Sequence, residues 1–153
     1  MMFNYILSKL DGIIMSSNIS ITKRFEFSGS HRLWREEWSA EENKRIFGNS
    51  ANLHGHGHNF VLFVTISGEI DDVTGMIINL SELKAIVNDV VIRFDHKFLN
   101  MDTPFFKDIL PTLENIATVL FKLIDEKINS AGVGKLKKIR LQQGNSLSAE
   151  VWR

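Results

Sequence analysis

Three of the chain's five histidines, His54, His56 and His58, stand at alternate positions, separated only by Gly55 and Gly57. Imidazole is the commonest protein ligand of transition metals, and residues two apart in an extended strand share one face. His56 and His58 would then point the same way, close enough to serve one zinc ion. A third nitrogen has to come from another strand, and His31 in "SGSHRL" is the natural donor. Three protein nitrogens plus one open position is the pattern of a catalytic zinc rather than a structural one. The spacing alone is equally compatible with an exposed strand that carries histidines and no metal. Gly55 and Gly57 favour the metal, because they let backbone approach a ligand closely.

A second pair that could do chemistry is Asp95 and His96 in "FDHKFLN". It reads either as a helix terminus whose dipole favours an imidazolium, or as a carboxylate and an imidazole placed together for proton transfer. The chain has no cysteine, which excludes disulfides, thiolate metal ligands and thiol nucleophiles, and makes a cytoplasmic location the default. Eighteen Lys and Arg balance eighteen Asp and Glu, so no basic excess points to a nucleic-acid partner. A small anionic substrate needs only a few placed cations and stays open.

The elements that must position these residues follow from hydrophobic period. At 153 residues, 44% apolar and 24% charged, the chain suits one soluble domain with one core. "NISITKRFEFSGSHRL" alternates as a strand, with Ile19, Ile21, Phe25 and Phe27 on one face. "SAEENKRIFG" has Ser39 and Glu42 as a capping box and Gly48 as a stop, a short helix in an insertion that carries Trp34 and Trp38. "NFVLFVTISGEI" is the clearest strand, and "TGMIINL" reads as another after a turn at Asp71 to Gly75. Leu83, Ile86, Val87, Val90, Val91 and Phe94 then recur at helical spacing, with Asn79 and Glu82 as a second capping box. After Pro111, Thr112 caps a helix with Ile116, Val119, Leu120, Leu123 and Ile124 as its stripe, ending near Gly132. "KLKKIRLQQGNSLSAEVWR" closes the chain as two strands about Gly144-Asn145. The expected fold is an α+β sandwich with helices on one face of the sheet.

Residues 1–18 carry no periodic pattern. Their apolar runs, Phe3 to Leu7 and Ile13 to Met15, are too short to span a bilayer. They are read as a disordered extension or a mis-called start, with Met15 as the functional start and residues 19–153 as the domain. No membrane partner is expected.

Taken in order, "FEFSGSHRL", "EENKRIFGN", "HGHNF", "GEIDDVTGMIINLSELK", "FDHKFLN" and "PTLENIA" resemble the 6-pyruvoyltetrahydropterin synthases and the related 6-carboxytetrahydropterin synthases. The resemblance runs from about Phe25 to Glu150, and the insertion and "GHGHNF" look closer to the pyruvoyl enzymes. It implies the tunnelling fold, a four-stranded antiparallel sheet with two helices on one side. Subunits would join their sheets into a β-barrel, usually a homohexamer made of two trimers, with active sites between subunits. It implies a lyase of tetrahydrobiopterin biosynthesis that releases triphosphate from 7,8-dihydroneopterin triphosphate and moves protons along the side chain. By the same resemblance His31, His56 and His58 hold Zn2+, Asp95 and His96 form the proton relay, and Thr112 and Glu114 contribute to the pterin pocket.

The chain departs from that pattern at informative places. Ser50 stands where the family has its catalytic cysteine, and a hydroxyl is a far weaker acid than a thiol. Gln143 stands for the pterin-anchoring glutamate, Gly144 for the threonine after it, and Leu113 for a threonine at the helix start. An amide accepts at one atom and donates at the other, whereas a carboxylate accepts at both. His54 matches no family ligand, and no acidic residue lies between Phe47 and His58 to replace the cysteine. Ser50, His54 or a water are the candidates for its task. The alternatives are a 6-carboxytetrahydropterin synthase-like or altered-substrate enzyme, and a zinc- and pterin-binding homologue without turnover.

Overall fold

The computed structural model describes residues 19–153, so the expectations for residues 1–18 lie outside the described residues. Two twelve-residue strands form the centre, β1 (Ser20–His31) and β2 (His56–Ser67), paired antiparallel from Ser20 opposite Ser67 to His31 opposite His56. Between them lie helix α1 (Ala40–Phe47) and a 3-10 turn, Gly48–Ala51. Helix α2 (Leu80–Val91) follows, then strand β3 (Lys97–Phe98), the short helix α3 (Leu99–Asp102) and the long helix α4 (Leu113–Ala131). Strands β4 (Lys135–Gln143) and β5 (Leu147–Trp152) close the chain as a hairpin.

The sheet order is β3-β1-β2-β4-β5. Four strands are antiparallel neighbours, as expected; the fifth is the two-residue β3, which runs parallel to β1. Such a short edge segment has no periodicity to betray it in the sequence. The sheet is open, with β3 and β5 at its edges.

Alternation sorts the two central strands cleanly. Phe25, Phe27 and His31 of β1 turn inward together with Phe60, Leu62, Val64 and Ile66 of β2. Leu136, Ile139 and Leu141 of β4 extend that face. Helices α2 and α4 cover it with Leu83, Val87, Val90, Ile116, Leu120, Ile124 and Ile128, all fully buried. Each such aliphatic side chain contributes roughly 1.5–3 kcal/mol by leaving water. The core therefore lies between the sheet and two helices, and the other face of the sheet is left open.

Caps end the helices where polar signals stand. Ser39 accepts from the Glu42 N–H at 3.1 Å, Thr112 accepts from the Asn115 N–H at 3.3 Å, and Gly132 closes α4 in the left-handed conformation. Asn79 caps α2 by accepting from the Ser81 N–H at 2.9 Å, rather than forming the expected box with Glu82.

"TGMIINL" is not a strand but a turn and a bend leading into α2. The Asp71 carboxylate accepts from the Val73 and Thr74 N–H groups and from the Thr74 hydroxyl, and the Asp71 N–H donates to the Met76 carbonyl. These local bonds occupy the backbone that a ladder would need. Of its apolar residues, Ile78 is buried and Ile77 packs against the core, while Met76 and Leu80 stay exposed.

Among the described residues, no helix is long and apolar enough to cross a membrane.

Candidate metal centre and its surroundings

The β1–β2 register sets His31 directly across from His56, and His58 across from Gly29. Because the three histidines share the inward face, their rings meet at the end of the core, beyond Phe60. Ring centroids lie 4.6 Å apart for His31 and His56, 4.7 Å for His56 and His58, and 5.2 Å for His31 and His58. One ring nitrogen from each can be chosen so that all three lie within 4.8 Å of one another.

Their hydrogen-bonding pattern tests whether a metal suits them. His31, 3% exposed, has its Nδ1 2.5 Å from the Pro111 carbonyl oxygen, so the ring donates there and presents Nε2 as a lone pair. That Nε2, the Nδ1 of His56 and the Nε2 of His58 are buried and have no hydrogen-bond partner. Buried polar nitrogens are rarely left unpaired, and three converging on one point fit a cation. Electrostatics agree. Burial, helped by the neighbouring His56 and His58 and opposed by the Pro111 bond, pushes the His31 pKa down to about 4. Burial and then His56 lower that of His58 as well. Both are held neutral, the state in which an imidazole can coordinate.

Glycine makes the approach possible. Gly55 has a φ of +67°, and a Cβ there would come within 2.7 Å of the His31 carbonyl oxygen and 3.0 Å of a Phe98 ring carbon. The turn before β2 can close against His31 only without a side chain at this position.

The remaining candidates are distributed around this centre. Ser50, half-buried in the 3-10 turn, accepts the Leu33 N–H at 2.9 Å through its carbonyl, which sets its backbone beside the segment after His31. His54 is exposed at the turn preceding Gly55. Thr112 and Glu114 begin α4 directly after Pro111, the residue that holds His31; the Thr112 hydroxyl is occupied as the helix cap and Glu114 is exposed. Gln143 ends β4 opposite Phe60, on the face that carries His58.

Asp95 and His96 lie elsewhere. One Asp95 carboxylate oxygen accepts from the Ser28 N–H at 2.9 Å, while the other is 2.9 Å from His96 Nδ1. The Ser28 bond, outweighing partial burial and aided by His96, holds the Asp95 carboxyl below its ordinary value. His96 has a φ of +56°, and its side chain is 82% exposed. It lines a cleft of about 510 Å³ with Ser28, Ser30, Asn59 and Lys97, and with His58 of the three-histidine group. By strand alternation Ser28, Ser30 and Asn59 stand on the open face of the sheet, opposite the histidine face. His96 shares that cleft with His58 but is not one of the three histidines whose ring nitrogens cluster.

Sequence reasoning missed Pro111 and Asn100. Pro111 acts through its carbonyl, which no residue type advertises. Asn100, a polar residue straight after Phe98 and Leu99, bonds both backbone groups of Arg32.

Comparison with known proteins gives a consistent result. The family model described as 6-pyruvoyl tetrahydropterin synthase matches residues 20–153. The 6-pyruvoyl tetrahydrobiopterin synthase of Homo sapiens is 40% identical over 124 residues, covering 80% of this chain and 83% of that protein. A dihydroneopterin monophosphate aldolase of Pyrococcus furiosus is 35% identical over 133 residues, 86% of this chain and 95% of that protein. The solved structure of Caenorhabditis elegans 6-pyruvoyl tetrahydropterin synthase superposes with a TM-score of 0.82 at 32% identity, covering 90% of this chain and 96% of that one.

Proposed function

The chain belongs to the 6-pyruvoyl tetrahydropterin synthase family, and from that premise we propose that it is a zinc-dependent lyase acting on 7,8-dihydroneopterin triphosphate. The observation that carries the reading is the convergence of three buried, unpartnered imidazole nitrogens at the end of the core. His31, His56 and His58 would hold the ion. Bound zinc would supply Lewis acidity toward the hydroxyls of the substrate side chain, acidifying the neighbouring C–H bonds.

The chain's own groups would do the rest. Pro111 fixes the His31 ring so that its Nε2 faces the centre. Asp95, tied to the Ser28 N–H, holds His96 with a ring nitrogen exposed to the cleft, where it can take up and return a proton. Lys97 in the same cleft is a cation for substrate phosphate. Thr112, Glu114 and Gln143 would bind the pterin, and Ser50, with His54 close by in sequence, would occupy the place of the family's thiol. His96 is exposed and stands outside the three-histidine cluster of its own chain, so the relay of one subunit would complete the metal centre of another. That favours a homohexamer built of two barrel-forming trimers. We take residues 19–153 as the working unit and the cytoplasm as its location.

The test is to incubate zinc-loaded protein with 7,8-dihydroneopterin triphosphate and follow triphosphate release and pterin products by mass. No turnover together with tight pterin binding would overturn the enzyme reading for this substrate. A second reading, a homologue that binds zinc and pterin without turnover or acts on a different heterocycle, is favoured by Ser50 and Gln143. Both replace groups on which the family's chemistry relies.

A further inference from the structure

We infer that Asn100 is a positioning residue for the metal centre, holding the end of β1 so that His31 stays in register with His56. The inference rests on the metal-binding reading of the three histidines. β1 ends at His31, and a strand end is where a ladder frays first. The segment after α2 prevents fraying by pairing with β1 residue by residue. Ser28 is held through the Asp95 carboxylate and the His96 N–H, and Gly29 and Ser30 pair with Lys97 and Phe98 of β3. β3 then stops, because the chain turns into α3.

The Asn100 side chain continues the pairing past that point. Its amide oxygen accepts from the Arg32 N–H at 2.8 Å, and its amide nitrogen donates to the Arg32 carbonyl at 2.9 Å. A primary amide carries a donor and an acceptor in the same relative arrangement as a backbone peptide, so it can substitute for one more strand residue. His31 therefore has a pinned residue on each side, Ser30 by β3 and Arg32 by Asn100. Arg32 is anchored once more through Nε, which donates to the Ala51 carbonyl at 3.0 Å, on the segment leading to His56.

The presentation of Asn100 is itself built. The Asp102 carboxylate accepts from the Phe98 N–H at 2.8 Å, and the buried Thr103 hydroxyl donates to the Leu99 carbonyl at 2.9 Å. These two bonds close the turn on which Asn100 sits. One short segment, Asp95 to Thr103, thus carries the relay pair at its start and braces the metal ligand at its end.

The experiment measures zinc affinity by competition with a chromogenic chelator, alongside hydrogen exchange of the peptide containing the Arg32 amide. Asn100→Leu removes both bonds; zinc should bind about 10–100-fold more weakly, with loss of Arg32 amide protection. Asn100→Asp keeps an acceptor for the Arg32 N–H and loses the donor, so protection should persist and the affinity loss should be smaller. It carries the test if the leucine variant fails to fold. Ile128→Val trims a fully buried side chain at the end of α4 remote from Pro111 and β3, and should lower the melting temperature with zinc affinity unchanged. Zinc affinity within twofold of wild type in both Asn100 variants would overturn the inference. So would an equal loss of affinity in Ile128→Val, which would mark general destabilisation. Wild-type protein that binds no zinc would remove the metal reading, and this inference with it.

Discussion

The ring of His31 and the carbonyl of Pro111, eighty residues apart in sequence, meet at 2.5 Å inside the protein. This contact ties the end of β1 to the start of α4 and decides which nitrogen of His31 is free. It also explains how a buried imidazole is tolerated: one nitrogen is satisfied by backbone and the other is kept for a cation.

The first prediction concerns pH in the metal-free protein. His31 has a folded pKa near 4 against an ordinary 6.5, because burial disfavours its charged form. Above 6.5 neither state holds the proton, and stability is unaffected. As pH falls from 6.5 towards 4, the unfolded chain takes up a proton that the folded one refuses, so stability drops. For a group this buried the full loss is on the order of 3 kcal/mol. Urea unfolding across that window should show the slope, and His31→Gln should reduce it, leaving the part that belongs to His58. A slope unchanged by the substitution would assign the effect to other groups.

Zinc binding should be stoichiometric in the wild type and lost in His56→Ala. The variant should keep its fold, since His56 stands at the end of the core rather than within it. Retained stoichiometric zinc in the folded variant would refute the ligand assignment.

Gly55→Ala places a side chain at φ +67° and within 2.7 Å of the His31 carbonyl oxygen. The left-handed backbone alone costs about 1–2 kcal/mol for a residue with a Cβ, and the close contact adds to it. Denaturant midpoints should fall and zinc should bind more weakly. Gly75→Ala, equally left-handed but with open space around it, should lower stability without changing zinc affinity.

If Ser50 and Gln143 limit turnover, Ser50→Cys combined with Gln143→Glu should raise triphosphate release roughly 10²-fold or more, the usual size of a restored proton-transfer group. An unchanged rate in a folded, zinc-loaded double variant would mean that the chain uses a different base or a different substrate.

The exposure of His96 and its position outside the three-histidine cluster predict complementation between subunits. His56→Ala and His96→Ala should each be inactive alone. Co-refolded mixtures should regain a fraction of wild-type activity, because some sites would draw an intact metal centre and an intact relay from different chains. Mixtures as inactive as the single variants would show that each chain completes its own site.

Much of this protein was determined by local pattern. Alternation in "FEFSGSH" and "HGHNFVLFV" set which residues turn inward, and so put His31, His56 and His58 on one face before any pairing was known. Helical spacing and the polar residues Ser39, Asn79 and Thr112 marked where α1, α2 and α4 begin. Period and capping depend on neighbours a few residues away, which is why they can be read along the chain.

What required the tertiary structure was every relationship carried by backbone or by distant partners. The β1–β2 register that sets His31 against His56, the Pro111 carbonyl on the His31 ring and the Asn100 amide on Arg32 all join residues far apart in sequence. "TGMIINL" misled because its composition suits a strand, while the Asp71 carboxylate had already occupied the backbone donors of the turn. That His96 stands outside the cluster of three histidines was invisible for the same reason: where a turn at the edge of a sheet sends its side chain is recorded by no local period.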